Sequence, residues 1–253
     1  NRYRPASFDL EANAENTHID EAYSLNQAYW FTYSPIVWNV HEYKDGALRL
    51  ASKFSLEGQP FVTTYIEKEG EYYNGEKETV YSNDWENSSI RAFLNNEFFD
   101  LAFSNREKAY IKEEHLDNKT TGVSSTNPYQ INQSDTDDKV YLLSYADVKN
   151  QAYGYTGKGI SRIRGFSPYA QIQGARASMQ ASTSDGDPAS FYLLRSATTE
   201  SFGVSGVNKL GAPQTSYETK EEGASFSIAG ILPALTLQVK RELGDWSEAK
   251  TLQ

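Results

Sequence analysis

SSIRAFLNNEFFDLAFSNREKAYI, residues 88–111, decides whether helices join the strands that the rest of this chain suggests. Ser88 or Ser89 can cap a helix N-terminus. Ile90, Phe93 and Leu94 recur at helical spacing, and Phe98 and Leu101 extend the stripe, while Asn95 and Asn96 interrupt it. Ser104 then opens a second helix, because S-N-R-E sets Glu107 three residues on, where each side chain can satisfy the other's free backbone N–H. The stretch predicts two short helices around a bend. Arg91 lies among its apolar residues, as Arg195 does in YLLRS. A half-buried guanidinium needs forked partners, a carboxylate or a set of backbone carbonyls, so both arginines are assigned to the scaffold, together with Trp38 and Trp85.

Working outward, strands dominate. PIVWNVHEY (35–43) alternates Ile36, Trp38 and Val40 with Val37, Asn39 and His41. KDG (44–46) is a hairpin signal, and ALRLASKF (47–54) is the partner, its register left open by Ala47, Arg49 and Ser52. Residues 57–84 read as loop with one short strand at FVTTYIE (61–67), and 113–138 as a long polar loop. KVYLLS (139–144) reads as a strand and YADVKN (145–150) as a helix. Residues 151–190, rich in Gly and Ser and poor in apolar residues, must take their order from tertiary contacts. FYLLRSA (191–197) reads as a buried strand and ESFGVSGVNK (200–209) as a strand or hairpin. ASFSIAGILPALTLQV (224–239) gives a last strand or pair, with Pro233 at an edge or bulge. The predicted class is α+β: mainly antiparallel strands, two or three short helices and long loops. An N-terminal arm or leading strand (1–33) precedes the main domain (34–240), and a tail (241–253), a short amphipathic helix or frayed end, follows it.

Composition narrows the function. Thirty-four acidic against 24 basic residues give a net charge of −10, which repels phosphate backbones, so no nucleic-acid partner is expected. With no cysteine, disulfides, thiolate catalysis, zinc fingers and iron–sulfur ligation are excluded. The three histidines, His18, His41 and His115, stand far apart and in no H-x-x-x-H spacing. No apolar run approaches the ~18 residues that a membrane span needs. Asn rather than Met at position 1 leads us to expect a targeting segment outside this chain.

The landmarks PIVWNV, LASKFSLEGQPF, YYN, WENSSIRAFLNNEF, AFSNREKAYI, DTDDKVYLLS, SPYAQIQG, YLLRS and GILPALTL occur in that order. In this series the chain resembles DUF6273, a bacterial domain of unknown function, over roughly residues 34 to 240. Two positions depart from the family pattern: Phe191 and Tyr192 stand where a tryptophan is usual, and Leu232 where an arginine is usual. The resemblance implies a C-type-lectin-like fold, shared with formylglycine-generating enzymes, in which a long irregular loop region carries function. The copper chemistry of those oxidases needs cysteines that this chain lacks.

Three groups of residues bear on chemistry. Tyr153, Tyr155, Arg162, Arg164 and Tyr169 lie in the Gly-rich segment, where aromatic faces with flanking donors suit a sugar ring or a peptide, although the same residues could simply anchor the loop. Asp135 and Asp137, next to Asp138, and the pair Asp185 and Asp187 are carboxylate clusters on loops, where calcium takes oxygen ligands. Neither cluster matches an EF-hand or a sugar-binding lectin motif, so solvated turns or caps are the favoured reading and no metal or cofactor is expected. Glycoside hydrolysis needs two carboxylates about 5 to 10 Å apart in a cleft, and an acidic chain offers candidates without selecting any. The expected function is a non-catalytic binding module held at or beyond the bacterial envelope, with carbohydrate or another surface protein as ligand. A glycan hydrolase and a purely structural surface domain are the alternatives.

Overall fold

The computed structural model describes residues 30–31, 34–63, 67–72, 77–81, 85–118, 129–130, 134–173, 175, 177–197, 203–218 and 229–239. The expectations for the tail 241–253, for the middle of the 113–138 loop and, apart from Trp30 and Phe31, for the arm 1–33 lie outside the described residues. The fold is α+β, mostly strands in several sheets with a few short helices.

In chain order come β1 (Trp38–Lys44), β2 (Ala47–Ser52), β3 (Phe54–Ser55), β4 (Glu57–Gln59), and the hairpin of β5 (Glu67–Tyr72) and β6 (Lys77–Tyr81). A helical run follows: α1 (Ser89–Phe93), a π segment (Leu94–Phe98) and α2 (Phe99–Ala102), then the separate turn α3 (Asn105–Lys108). Next are β7 (Ile111–Lys112), β8 (Glu114–Leu116), β9 (Tyr129–Gln130), β10 (Thr136–Asp138) and β11 (Tyr141–Leu142), and three 3₁₀ turns at Asp147–Lys149, Gln151–Tyr153 and Gly159–Arg162. The chain continues with β12 (Gly165–Phe166), α4 (Pro168–Ile172), β13 (Ala177–Ser182), β14 (Pro188–Ser190), β15 (Tyr192–Ala197), β16 (Gly203–Val207), β17 (Pro213–Glu218), β18 (Ala229–Ile231) and β19 (Pro233–Gln238). One five-stranded sheet runs β1-β2-β19-β11, with β7 also on β19, and a second runs β17-β16-β15-β18-β4.

The helical stretch shows how short-range chemistry shapes the fold. Ser88 caps α1, its side chain accepting from Arg91 N, and Ser104 and Glu107 form the capping box of α3. Between them Asn95 and Asn96 do interrupt the helix, though by widening it into a π turn. Asn95 Nδ2 donates to Arg91 O (3.2 Å) and Asn96 Nδ2 to Ala92 O (2.7 Å), so side-chain amides occupy carbonyls that the i→i−4 ladder would use. The bend comes later, at Phe103, where the backbone is extended.

The KDG signal is a two-residue turn with Asp45 and Gly46 at φ +50° and +76°, the pairing that matches strand twist in a hairpin. Strict alternation along β1 does not survive, however. Val40 pairs with Leu50 and Glu42 with Arg49, so one extra residue, His41, forms a bulge; His41 turns inward while Val40 is exposed. Two further expectations are corrected. Residues 61–63, the described start of FVTTYIE, are not in a strand, and the strands lie on either side, at β4 and β5. Pro233 is at neither an edge nor a bulge but opens β19, which lies between β2 and β11; as first residue it has no ladder donor to lose. The helix expected at YADVKN is a short one of the 3₁₀ type, Asp147–Lys149.

The core lies between the sheets and the helical run. Every residue of β15 is buried, and Trp85, Ile90, Leu94, Tyr141, Leu142 and Ile231 are packed with it in one cluster. At its centre Gly230 pairs with Tyr192, and a Cβ there would meet Ser190 Oγ and Ser55 Oγ at 2.5 Å and Phe191 O at 2.8 Å. Those two serines are hydrogen-bonded at 3.1 Å. Gly230→Ala is therefore expected to destabilise the protein by about 1–3 kcal/mol, read as a lower urea midpoint; an unchanged midpoint would show that the strands can part there at no cost.

Candidate functional site

The bulge at His41 brings β1 against the irregular 151–190 segment, and a cleft of about 270 Å³ opens between them. One wall is Asn39, Val40 and His41; the others come from Lys53 and Phe54, from Tyr153 and Gly154, from Ile163 and Arg164, and from the turn carrying Thr183, Ser184, Asp185 and Asp187.

His41 is 7% exposed and sandwiched. Tyr153 stacks on it at 5.4 Å and 11°, Tyr155 meets it edge-on at 5.2 Å, and Tyr155 Oη lies 3.2 Å from His41 Nε2. Burial, with the charge of Arg164 next and that of Arg49 adding a smaller push, draws the imidazole pKa down to about 4 against an opposing pull from Asp147. The ring is neutral at ordinary pH. Arg164 lies over the Tyr155 ring at 5.6 Å and uses Nη1 on Ser161 O (3.0 Å) and Ile163 O (2.9 Å). Two buried nitrogens beside this cleft, His41 Nδ1 and Arg164 Nε, have no hydrogen-bond partner among the described residues.

Charged side chains tie the surrounding elements together. Arg49 donates to the Tyr153 hydroxyl. Arg195 donates through Nη1 to Asp147 Oδ2 (2.9 Å) and Leu142 O (3.0 Å), and through Nε to Asn118 Oδ1 (3.2 Å). Burial alone would raise the Asp147 pKa, but the Arg195 guanidinium and the Ser144 N–H together hold it below its ordinary value. Lys53 closes the mouth with an ion pair to Asp185 at 2.7 Å, and hydrogen bonding by that ammonium keeps the carboxyl of Asp185 low.

The five residues singled out in the Gly-rich segment take three different positions. Tyr153 and Arg164 line the cleft. Tyr155 is buried one layer below, and Arg162 is tied up by backbone, its Nε donating to Val148 O (2.6 Å) and Nη2 to Thr156 O (2.9 Å) while its carbonyl accepts from Tyr192 Oη (3.0 Å). Tyr169 belongs to α4, outside the cleft, where its ring meets Phe31 edge-on and its hydroxyl accepts from Gln173 Nε2. Of the carboxylates, Asp185 and Asp187 are on the cleft turn; Asp135 and Asp137 flank the exposed His115, 3.6 Å from Nε2 and 2.9 Å from Nδ1. Among the described residues no three His, Asp or Glu side chains come together as a metal site.

Arg91 donates to Asp138 through Nε at 2.7 Å, Trp85 donates to the same carboxylate at 2.8 Å, and Trp38 stacks on Phe103. His41, Asn39, Lys53 and Phe54 were not among the candidates drawn from the sequence. The one local signal was an imidazole inside an apolar strand just ahead of a tight turn. A second, apolar cleft of about 580 Å³ lies beside Ile36, Trp38, Phe103, Leu235 and Leu237.

A family model described as a domain of unknown function (DUF6273) matches residues 57–239. No curated protein and no solved structure matches the chain. The matched span starts at β4, later than the landmark PIVWNV, although β1 and β2 upstream are hydrogen-bonded into the sheet of β19.

Proposed function

The chain belongs to the DUF6273 family, and from that premise we propose that it is a non-catalytic carbohydrate-binding module acting at or beyond the bacterial envelope. One observation carries the reading: His41 and Arg164 line a single cleft, and each has a buried nitrogen, Nδ1 and Nε, without a partner among the described residues. A buried polar group without a partner costs about 1–3 kcal/mol, so two beside one opening favour a ligand that supplies the missing bonds. The cleft is at the small end of ligand pockets, the scale of a single sugar ring, and Tyr153 and Phe54 give it aromatic surface. The cleft carboxylates argue for binding over hydrolysis. Asp185 and Asp187 are two residues apart on one turn, and Asp185 is held ionised by Lys53, whereas glycoside cleavage needs one carboxyl kept protonated across the scissile bond.

A C-type-lectin-like arrangement belongs to the same proposal, supported by a short helical run packed beside antiparallel strands and an irregular segment that carries the cleft. The acidic composition rich in Tyr, Asn and Ser supports the envelope location. A protein partner is the second reading, favoured by the apolar cleft beside Trp38 and by exposed Val37, Val40 and Tyr43.

The test is thermal unfolding of the full chain with neutral mono- and disaccharides. A ligand bound only by the folded state raises the melting temperature, by an amount set by RT ln(1 + [L]/Kd). The expected result is a saturable rise that disappears in Ser184→Trp, which fills the cleft from an exposed position. A flat response across the panel would overturn the carbohydrate reading in favour of the protein partner, and release of reducing ends from any glycan would replace it with the hydrolase.

A further inference from the structure

We propose that the cleft is specific for sugars bearing an acetamido group, with His41 Nδ1–H and Arg164 Nε–H donating to the acetamido carbonyl. The inference rests on the carbohydrate reading and adds the chemical class of the ligand.

Hydrogen-bond polarity at His41 follows from its neighbours. Tyr155 is buried, its hydroxyl proton needs an acceptor, and His41 Nε2 is 3.2 Å away. Arg164, packed over the Tyr155 ring, can only donate and so offers that proton no acceptor. The phenol proton therefore points to Nε2, which must be the bare nitrogen of the neutral ring, and the imidazole proton is on Nδ1. Nδ1 is thus a donor without an acceptor. Arg164 Nε is a second one, since the contacts to Ser161 and Ile163 use Nη1. Both belong to residues that pack on the Tyr155 ring and line the cleft, and one oxygen reaching both would satisfy the pair.

Charge and apolar lining choose among oxygens. Lys53 is matched by Asp185, and Arg164 shares the cleft lining with Asp187, so the four formal charges cancel and no excess cation awaits a carboxylate. A carbonyl accepts without charge. A ring hydroxyl accepts more weakly and would set its proton toward the donors. Val40, Phe54 and Ile163, also in the lining, offer a dry surface to the acetamido methyl, and Asp187 offers an acceptor to its N–H.

Calorimetric titration of the full chain with N,N′-diacetylchitobiose, cellobiose and a glucuronate disaccharide tests this. Cellobiose has the same linkage with hydroxyl in place of acetamido. Diacetylchitobiose is expected to bind at least about tenfold more tightly than cellobiose, because the hydroxyl leaves the donor pair poorly satisfied. His41→Asn, whose amide nitrogen takes the place of Nδ1, should keep the preference, and His41→Gln, whose amide reaches only the Nε2 position, should abolish it. Should His41→Gln fail to fold, Arg164→Lys, which keeps the charge and loses the Nε donor, carries the same test. Equal binding of the two neutral disaccharides would overturn the acetamido proposal and leave the carbohydrate module standing. Tighter binding of glucuronate would overturn it in favour of an anion, and no binding by any of the three would overturn both readings.

Discussion

Asp138→Ala is expected to cost about 3–5 kcal/mol of stability, the range for breaking a buried ion pair by removing one partner. The Asp138 side chain is fully shielded from water, while Arg91 is 27% exposed. Four donors converge on this carboxylate: Arg91 Nε at 2.7 Å, Trp85 Nε1 at 2.8 Å, Thr136 Oγ1 at 2.7 Å and Asn95 Nδ2 at 3.2 Å. They come from α1, from the π segment, from β10 itself and from Trp85, four residues ahead of α1, so alanine removes the one group that joins all four. Arg91 can turn partly to water. Thr136 and Trp85 are buried and lose this acceptor inside the core. Folded domains are stable by about 5–15 kcal/mol in all, so urea unfolding should show a large fall in midpoint at unchanged slope. Thr136→Val, which removes one donor to Asp138 and an acceptor of Asn118 Nδ2, should cost about 1–2 kcal/mol. A loss below 1 kcal/mol for Asp138→Ala would mean that water replaces the carboxylate, and the network would then have no structural role.

Part of this network could be read from the sequence and part could not, and the division follows distance along the chain. The Ser104–Glu107 box and the Lys44–Asp45–Gly46 turn are closed by residues within four positions of each other, so their chemistry is written locally. The same holds for the interruption at Asn95 and Asn96. That Arg91 needs a carboxylate partner follows from its apolar neighbours, yet nothing near it names Asp138, 47 residues on. His41 shows a different limit. Alternation placed it with Val37 and Asn39, and one inserted residue reversed its direction; bulges are set by the pairing strand, which the local pattern does not contain. The cleft combines both effects. Tyr153 and Arg164 stood out as aromatic and basic residues in a glycine-rich segment, but Tyr169 had the same local appearance and belongs to a helix facing elsewhere. Lys53 and Phe54 reach the cleft because Phe54 in β3 pairs with Gly165 in β12, a contact between segments far apart in sequence.

Between pH 6.5 and about 4 the native chain is expected to lose about 3 kcal/mol of stability that His41→Gln does not lose. The folded-state pKa of His41 is depressed to about 4, chiefly by burial, whereas an unfolded chain titrates near the ordinary 6.5. As pH falls through this window the unfolded state takes up the proton first, so unfolding becomes more favourable; below about 4 both states are protonated and this contribution is exhausted. Its stabilising effect is fully present above pH 6.5. Asp147, with its pKa held low, loses its contribution only in more acidic solution, and His115, raised mainly by its hydrogen bond to Asp137, contributes with the opposite sign as pH rises through its own pKa. Subtracting the His41→Gln profile from the native one removes both. Denaturant midpoints measured at half-unit steps would decide the matter, and parallel profiles would show that the ring is hydrated and titrates normally. Sugar affinity should behave differently over the upper part of this range. Nδ1–H donates whether or not Nε2 takes up a proton, and the neutral ring that accepts from Tyr155 persists in the folded state down to about pH 5, so binding should stay level while stability already falls.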